Sequence, residues 1–182
     1  MDHLQLPGHK AVLGMTGSGK SFAVKDEIRG HKGGVLALDP KNEGDWPCYY
    51  LTGREDILDM YGALKHGAHL AYVPDKDPEA ATRLLSKVCE DLLAGSWGDL
   101  WLVIDEAEIY APKSVPNPLT WISLRGRSCG VKGVWVCQRP AGLQLLRRRG
   151  IFARRRCPHL ARFSLPGCGS CHHRRRDDRQ HS

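Results

Sequence analysis

The stretch that decides the fold reads Gly14-Met15-Thr16-Gly17-Ser18-Gly19-Lys20-Ser21. It fits the pattern G-x-x-x-x-G-K-[ST] at every fixed position. Residues 10–13 before it predict a short buried strand, and residues 21–29 after it contain no Gly or Pro and predict a helix. A strand, a glycine-rich turn and a helix N-terminus form a phosphate cradle, because converging backbone N–H groups and the positive end of the helix dipole attract an anion.

The cradle residues predict a nucleoside triphosphate and Mg²⁺ as ligands. Lys20 is expected to neutralise the β- and γ-phosphates, and the hydroxyl of Ser21 is expected to ligate Mg²⁺. We expect all eight residues from Gly14 to Ser21 to contact the nucleotide. The alternative is a Gly/Ser-rich turn that matches by chance, but the strand before it and the helix after it argue against this.

A second chemical motif lies at Leu100-Trp101-Leu102-Val103-Ile104-Asp105-Glu106. An apolar run that ends in two acids predicts a central parallel strand that carries carboxylates to the C-terminal edge of a sheet. Asp105 is expected to hold the Mg²⁺ through water, opposite Ser21. Glu106 is expected to act as the general base on the attacking water, which suits ATP hydrolysis better than transfer to a substrate hydroxyl.

Two further strands end in polar residues. Residues 133–137 predict a strand that ends at Gln138, whose amide both donates and accepts and so suits a sensor of the γ-phosphate or of the water. Residues 35–39 predict a strand followed by a polar turn that holds Asp39 and Lys41. These two residues either support the site at the sheet edge or serve the turn itself, and the sequence leaves both open.

Alternating strands and helices predict the fold class. Helical patterns at 54–66, 79–94 and 116–127 separate apolar strands at 35–39, 68–73, 100–106 and 133–137. This order predicts an α/β protein with a mostly parallel central sheet covered on both faces. Together with the residue 14–21 loop and the Asp105-Glu106 pair, it predicts a three-layer P-loop NTPase of the ASCE type with an irregular C-terminal part. We expect residues 1–140 to form the ATPase core and residues 141–182 to form a tail.

Composition gives a charge asymmetry. The chain has 182 residues and a net charge of +7, but residues 1–138 hold 15 Lys and Arg against 18 Asp and Glu, whereas residues 139–182 hold 12 against 2. No apolar run approaches the roughly 20 residues of a membrane span, and no signal-peptide core precedes residue 10. We therefore expect a protein of the cytoplasm, with its scattered core cysteines reduced.

Three interpretations of the basic tail, residues 141–182, stay open. The first is a disordered arm that binds a phosphate backbone, the second is a segment translated out of frame, and the third is a small zinc site. The zinc ligands would be Cys157, His159, Cys168 and either Cys171 or His172.

Taken together, the motifs resemble those of the HerA/FtsK superfamily of P-loop ATPases. The resemblance covers roughly residues 9–140 and is carried by the residue 14–21 loop, the Asp39-Pro40 turn, Ile104-Asp105-Glu106, Arg127…Gly130 and Gln138-Arg139-Pro140. Within the superfamily, the chain looks most like the small genome-packaging ATPases of tailless, membrane-containing viruses and phages. The first predicted strand starts close to residue 10, which we expect of a small viral motor rather than a chromosome-segregation pump.

The resemblance implies a ring, usually a hexamer, that drives double-stranded DNA through its centre at the expense of ATP. It implies that Gln138 is the sensor and that Arg127, or alternatively Arg125, is an arginine finger that enters a neighbouring subunit's site. Helix-end cations are the other explanation of both arginines. Viral capsid or membrane proteins are possible partners, and the protein would act in the host cytoplasm or on the virion. Two alternatives are a small nucleoside or small-molecule kinase and a nucleotide-binding phage assembly protein.

Overall fold

The computed structural model describes residues 8–51, 60–110 and 118–138. The tail, with its candidate zinc ligands Cys157, His159, Cys168, Cys171 and His172, lies outside these residues. So does the first part of the helix predicted at 54–66. The division of the chain at residue 140 and the three interpretations of the tail therefore stay predictions.

Six parallel strands of the described residues form the central sheet. They are β1 (Lys10–Leu13), β2 (Gly34–Leu38), β3 (Tyr49–Leu51), β4 (His69–Tyr72), β5 (Leu100–Ile104) and β6 (Val131–Cys137). Their spatial order is β1-β6-β5-β2-β4-β3. The predicted α/β class with a parallel sheet is confirmed, and every described strand pair is parallel. The order places the strand before the phosphate loop beside β6, with β5 next.

In the part of the chain that the structure describes, four α-helices and two 3₁₀ turns connect the strands. The helices are α1 (Lys20–Gly30), α2 (Tyr61–Lys65), α3 (Pro78–Ala94) and α4 (Pro118–Arg125), and the 3₁₀ turns are Ala107–Tyr110 and Gly126–Cys129. The start of α3 is encoded locally, because the Asp77 carboxylate accepts from the N–H groups of Glu79 and Ala80. Within the described ranges, no helix combines the length and the apolar character needed to cross a bilayer.

Helices cover both faces of the sheet, as a three-layer fold requires. On one face, α1 packs Val24 and Ile28 against Val35 and Val103. On the other, α3 and α4 pack against the alternate residues of the same strands, including Leu36, Leu102, Ile104 and Trp135. β2 and β5 are buried along their whole length, which explains their continuous apolar sequences.

Two details differ from the expectation. The helix predicted to run to residue 127 ends at Arg125, and the chain continues as a 3₁₀ turn that stops at Gly130. Gly130 has φ +78°, and a Cβ there would lie 1.5 Å from the carbonyl oxygen of Trp97, so the chain needs glycine at this close approach. The sequence does not predict the short edge strand β3, because it has three residues and only Leu51 among them is buried.

A half-buried histidine just before β1 should make stability depend on pH. The Nδ1 atom of His9 accepts from the N–H of Gly133 at 2.9 Å, and the ring stacks on Trp135. Burial, with a smaller contribution from Arg127, lowers the pKa of His9 to about 4. Because the unfolded chain has a pKa near 6.5, the folded state holds fewer protons between these values, and stability is lost as the pH falls from 6.5 towards 4.

We expect the free energy of unfolding to drop across this window by up to about 2 kcal/mol because of His9 alone. Urea unfolding at pH 7.5, 5.5 and 4.5 measures the effect. His9→Asn is the control, because its amide oxygen can accept from Gly133 without titrating, so it should show a smaller decline. The same pH dependence in both proteins would contradict the assignment.

Candidate nucleotide-binding site

The phosphate loop connects β1 to α1 through two glycines in the left-handed conformation. Gly17 and Gly19 have φ values of +79° and +77°, which glycine adopts without a steric penalty. A Cβ on Gly14 would lie 2.3 Å from the Oγ of Ser18, so a side chain there would force the Ser18 hydroxyl to move. The N–H of Gly14 donates to the carbonyl of Cys137 at 3.3 Å, which ties the loop to the end of β6.

The N-terminus of α1 is open to an anion. The helix begins at Lys20 with Gly19 as its N-cap, no side chain caps it, and its first turn holds no acidic residue. Residues 15–19 are exposed, whereas Lys20 is buried at 9% exposure. The N–H groups of the first helical turn, the positive end of the helix dipole and a lysine therefore meet at one surface, and the phosphate cradle stays a prediction.

The structure brings Ser21 and Asp105 together. The Ser21 hydroxyl donates to Oδ2 of Asp105 at 3.5 Å, although 84 residues separate them in the chain. Asp105 is 1% exposed, and burial raises its pKa against the lowering effects of the Glu106 N–H and the charge of Lys41. A cation beside it would offset the cost of a buried charge.

The oxygen donors of Ser21 and Asp105 suit Mg²⁺. This ion prefers oxygen ligands and is commonly held by one or two carboxylates, with waters and substrate phosphates completing its shell. Among the residues that the structure describes, no cluster of three or more His, Cys, Asp or Glu could hold a metal ion alone. Phosphate oxygens and water would therefore have to complete the coordination.

Glu106 follows Asp105 in an uncommon backbone conformation. Its φ is +47°, a value that non-glycine residues seldom adopt, and its N–H donates to Oδ1 of Asp105 at 3.0 Å. Its Oε1 accepts from Nε2 of Gln138 at 2.5 Å and lies 2.7 Å from Nζ of Lys41. Backbone strain at a carboxylate that is held from two sides is typical of a functional position.

Gln138 lies between the phosphate loop and Glu106. Its Oε1 accepts from the Thr16 hydroxyl at 3.2 Å, while its backbone N–H donates to Oε1 of Glu108 at 2.9 Å. A side chain that contacts both the loop and the acid is placed where a sensor would need to be. Glu108 was not singled out from the sequence; its only signal there is a further acid two residues after Glu106.

In the turn after β2, Asp39 and Lys41 make different contacts, which answers whether each supports the turn or the sheet edge. Asp39 is fully buried, and its Oδ2 accepts from the Tyr50 hydroxyl at 2.8 Å and the Gly44 N–H at 3.2 Å. Asp39 thus holds the turn. Lys41 instead extends from the turn to Glu106, and this hydrogen bond raises the pKa of Lys41.

Arg125 and Arg127 do not lie at this site. Both precede β6 and are exposed at the N-terminal edge of the sheet, where the N–H of Leu100 donates to the carbonyl of Gly130. The seven residues of β6 separate them from Gln138, a span of about 23 Å at 3.3 Å per residue. Neither arginine can therefore act on a nucleotide bound to its own chain.

The all-parallel sheet flanked by helices, with a glycine-rich loop between β1 and α1, is the α/β fold of the P-loop NTPase class. Within that class, the fold is shared with the genome packaging NTPase B204 from Sulfolobus turreted icosahedral virus 2 in complex with AMPPCP, at a TM-score of 0.51 and 20% identity. The alignment covers 72% of this chain and 65% of that chain, slightly under two thirds of its length.

A second similar structure is B204, the DNA-packaging ATPase from Sulfolobus turreted icosahedral virus. Its TM-score is 0.51 at 17% identity, with 74% of this chain and 67% of that chain covered. No protein-family model matches the chain, and no curated protein matches its sequence. At the level of the fold, these likenesses confirm the resemblance to viral packaging ATPases.

Proposed function

We propose that the protein is an ATPase that translocates double-stranded DNA, and that it packages a viral or phage genome. The observation that carries the proposal is the meeting of Ser21 and Asp105 beside an uncapped helix N-terminus, with Lys20 buried at its start. The fold shared with a packaging NTPase that binds the ATP analogue AMPPCP supports it. The protein would act in the host cytoplasm or on the virion.

The proposed chemistry assigns one role to each group. Residues 14–19 bind the phosphates through backbone N–H groups, and Lys20 offsets their charge. Mg²⁺, held by Ser21 and Asp105, would stabilise the charge that develops between the β- and γ-phosphates. Glu106 orients the attacking water and accepts its proton, because it follows Asp105 at the same sheet edge and Gln138 and Lys41 hold its carboxylate.

Gln138 completes the site as the sensor. It contacts Thr16 in the phosphate loop and Glu106 at the same time, so a change in the loop on nucleotide binding would reach the general base through one side chain. This path is short and involves only direct hydrogen bonds.

In a ring, an arginine of the neighbouring subunit would supply further positive charge to the bound nucleotide. Arg127, or Arg125, lies exposed at the edge of the sheet opposite the phosphate loop, which suits an arginine finger that enters the site of a neighbouring subunit. Hydrolysis would then require contact between subunits, and this requirement would couple turnover to movement of DNA.

ATP hydrolysis by the full chain, with and without duplex DNA, tests the function. We expect duplex DNA to raise the turnover rate severalfold, and light scattering to give a mass near six times the 20.3 kDa of one chain. Single-stranded DNA of equal length is the control for strandedness. A rate that DNA leaves unchanged, together with phosphoryl transfer to a nucleoside, would favour a kinase instead.

A further inference from the structure

The turn after β2 brings a lysine to the proposed general base. The Nζ of Lys41 lies 2.7 Å from Oε1 of Glu106, an ion pair between residues 65 positions apart in the chain. The Lys41 side chain is 34% exposed and that of Glu106 is 15% exposed, so the contact is partly shielded from water. The lysine therefore contacts Glu106, the residue proposed as the general base.

The turn is anchored to the sheet on one side. The buried Asp39 accepts from Gly44 and Tyr50 through one carboxylate oxygen, and its carbonyl accepts from the N–H of Asn42 at 3.2 Å. Asn42 has φ +54°, a left-handed conformation that asparagine tolerates better than most residues. Lys41 therefore extends from a turn that hydrogen bonds hold on both sides of it.

The same turn is anchored to α1 on the other side. Lys25, which is 5% exposed, pairs with Asp45 and lies 3.5 Å from Glu43. Its ammonium also lies 5.0 Å from the ring centre of Trp46. Because α1 begins at the phosphate loop, this cluster links the helix that would bind the nucleotide to the turn that carries Lys41.

Both described contacts of the Glu106 carboxylate are made to one of its oxygens. Lys41 and Gln138 approach Oε1, and within the described ranges no hydrogen bond or ion pair is made to Oε2, the oxygen that would face a water molecule. The terminal torsion of a glutamate is broad, so a carboxylate without such contacts would sample many orientations. Two donors on Oε1 fix the direction in which Oε2 points.

We propose that Lys41 is a positioning residue that fixes the Glu106 carboxylate so that Oε2 faces the attacking water. This inference rests on the proposed function, because it takes Glu106 as the general base. Lys41 would act through Glu106 and would not bind the nucleotide. Its loss should therefore lower the rate of the chemical step while leaving nucleotide affinity intact.

Lys41→Met tests this in the full-length chain. We expect kcat for ATP to fall about tenfold to a hundredfold, because misplacing a reacting group by about 1 Å has an effect of that size. The affinity for AMPPCP should stay within about twofold of the wild type. Lys41→Arg, which keeps a charged donor, should restore most of kcat, and Lys76→Met at an exposed lysine after β4 is the matched control.

A second variant pair shows whether Lys41 acts through Glu106. In a Glu106→Gln background, Lys41→Met should cause no further loss, because two residues that act as a unit are not additive. A full additional loss, or a parallel fall in AMPPCP affinity, would mean that Lys41 contacts the nucleotide and would overturn the inference. Unchanged or increased kcat in Lys41→Met would overturn it as well.

The two failures are distinguishable. If the wild-type chain hydrolyses ATP and Lys41→Met does so equally fast, the inference fails and the proposed function stands. If the wild-type chain hydrolyses no nucleotide, both are overturned. Melting temperatures of all variants should agree within a few degrees, because a partly exposed ion pair contributes little to stability.

Discussion

Lys20→Ala is expected to abolish ATP hydrolysis and to weaken ATP binding severely. Lys20 lies at the first position of α1, beside the exposed N–H groups of the loop, and only 9% of it is exposed. Removing its charge would leave the phosphates with the loop N–H groups, the helix dipole and the proposed Mg²⁺, but without a cationic side chain of the same loop. A loss of at least about a hundredfold to a thousandfold in kcat is expected from the removal of one such stabilising group.

Phosphate release and binding of a fluorescent ATP analogue measure this effect. Lys32→Ala is a suitable control, since Lys32 is an exposed lysine between α1 and β2, at the opposite edge of the sheet. Its activity should match the wild type. Normal hydrolysis by Lys20→Ala would remove the phosphate-cradle assignment, and with it the main support for the proposed function.

Glu106→Gln should separate binding from chemistry. Glutamine keeps the shape of the side chain and an oxygen that can accept from Gln138 and Lys41, but it cannot accept a proton from water. We expect ATP to remain bound while turnover falls about a hundredfold to ten-thousandfold, the usual contribution of a general base. Single-turnover hydrolysis and analogue binding, measured on the same preparation, give the two quantities.

Glu79→Gln provides the comparison for this variant. Glu79 lies in the first turn of α3, and its side chain is 85% exposed, so the same change of chemistry there should leave turnover unaffected. Hydrolysis at the normal rate by Glu106→Gln would show that another group activates the water.

The sequence predicted those parts of the site that are encoded in continuous stretches. The glycines and Lys20 specify the loop locally, because only particular residues permit its backbone angles. Asp105 and Gln138 follow apolar strands, and parallel strands bring their C-terminal ends to a common edge. The structure meets this expectation, as the Ser21–Asp105 and Thr16–Gln138 contacts show.

Pairings between distant residues could not be predicted in the same way. The sequence places Lys41 in a turn, but only the position of β2 next to β5 brings that turn to Glu106. Glu108 likewise contacts Gln138 because β6 lies on the other side of β5. Strand order is a property of the assembled sheet, and short edge strands such as β3 carry too little periodicity to be recognised.

The position of the arginines has a consequence for the behaviour of a solitary chain. Arg127 and the phosphate loop lie at opposite ends of β6, so one molecule cannot supply the proposed finger to its own nucleotide. ATP hydrolysis would then take place only at the interface between two subunits, because neither subunit alone holds all the groups it needs. An unassembled protein would hold its ATP nearly intact, and so would avoid wasting the cell's energy before there is a genome to move.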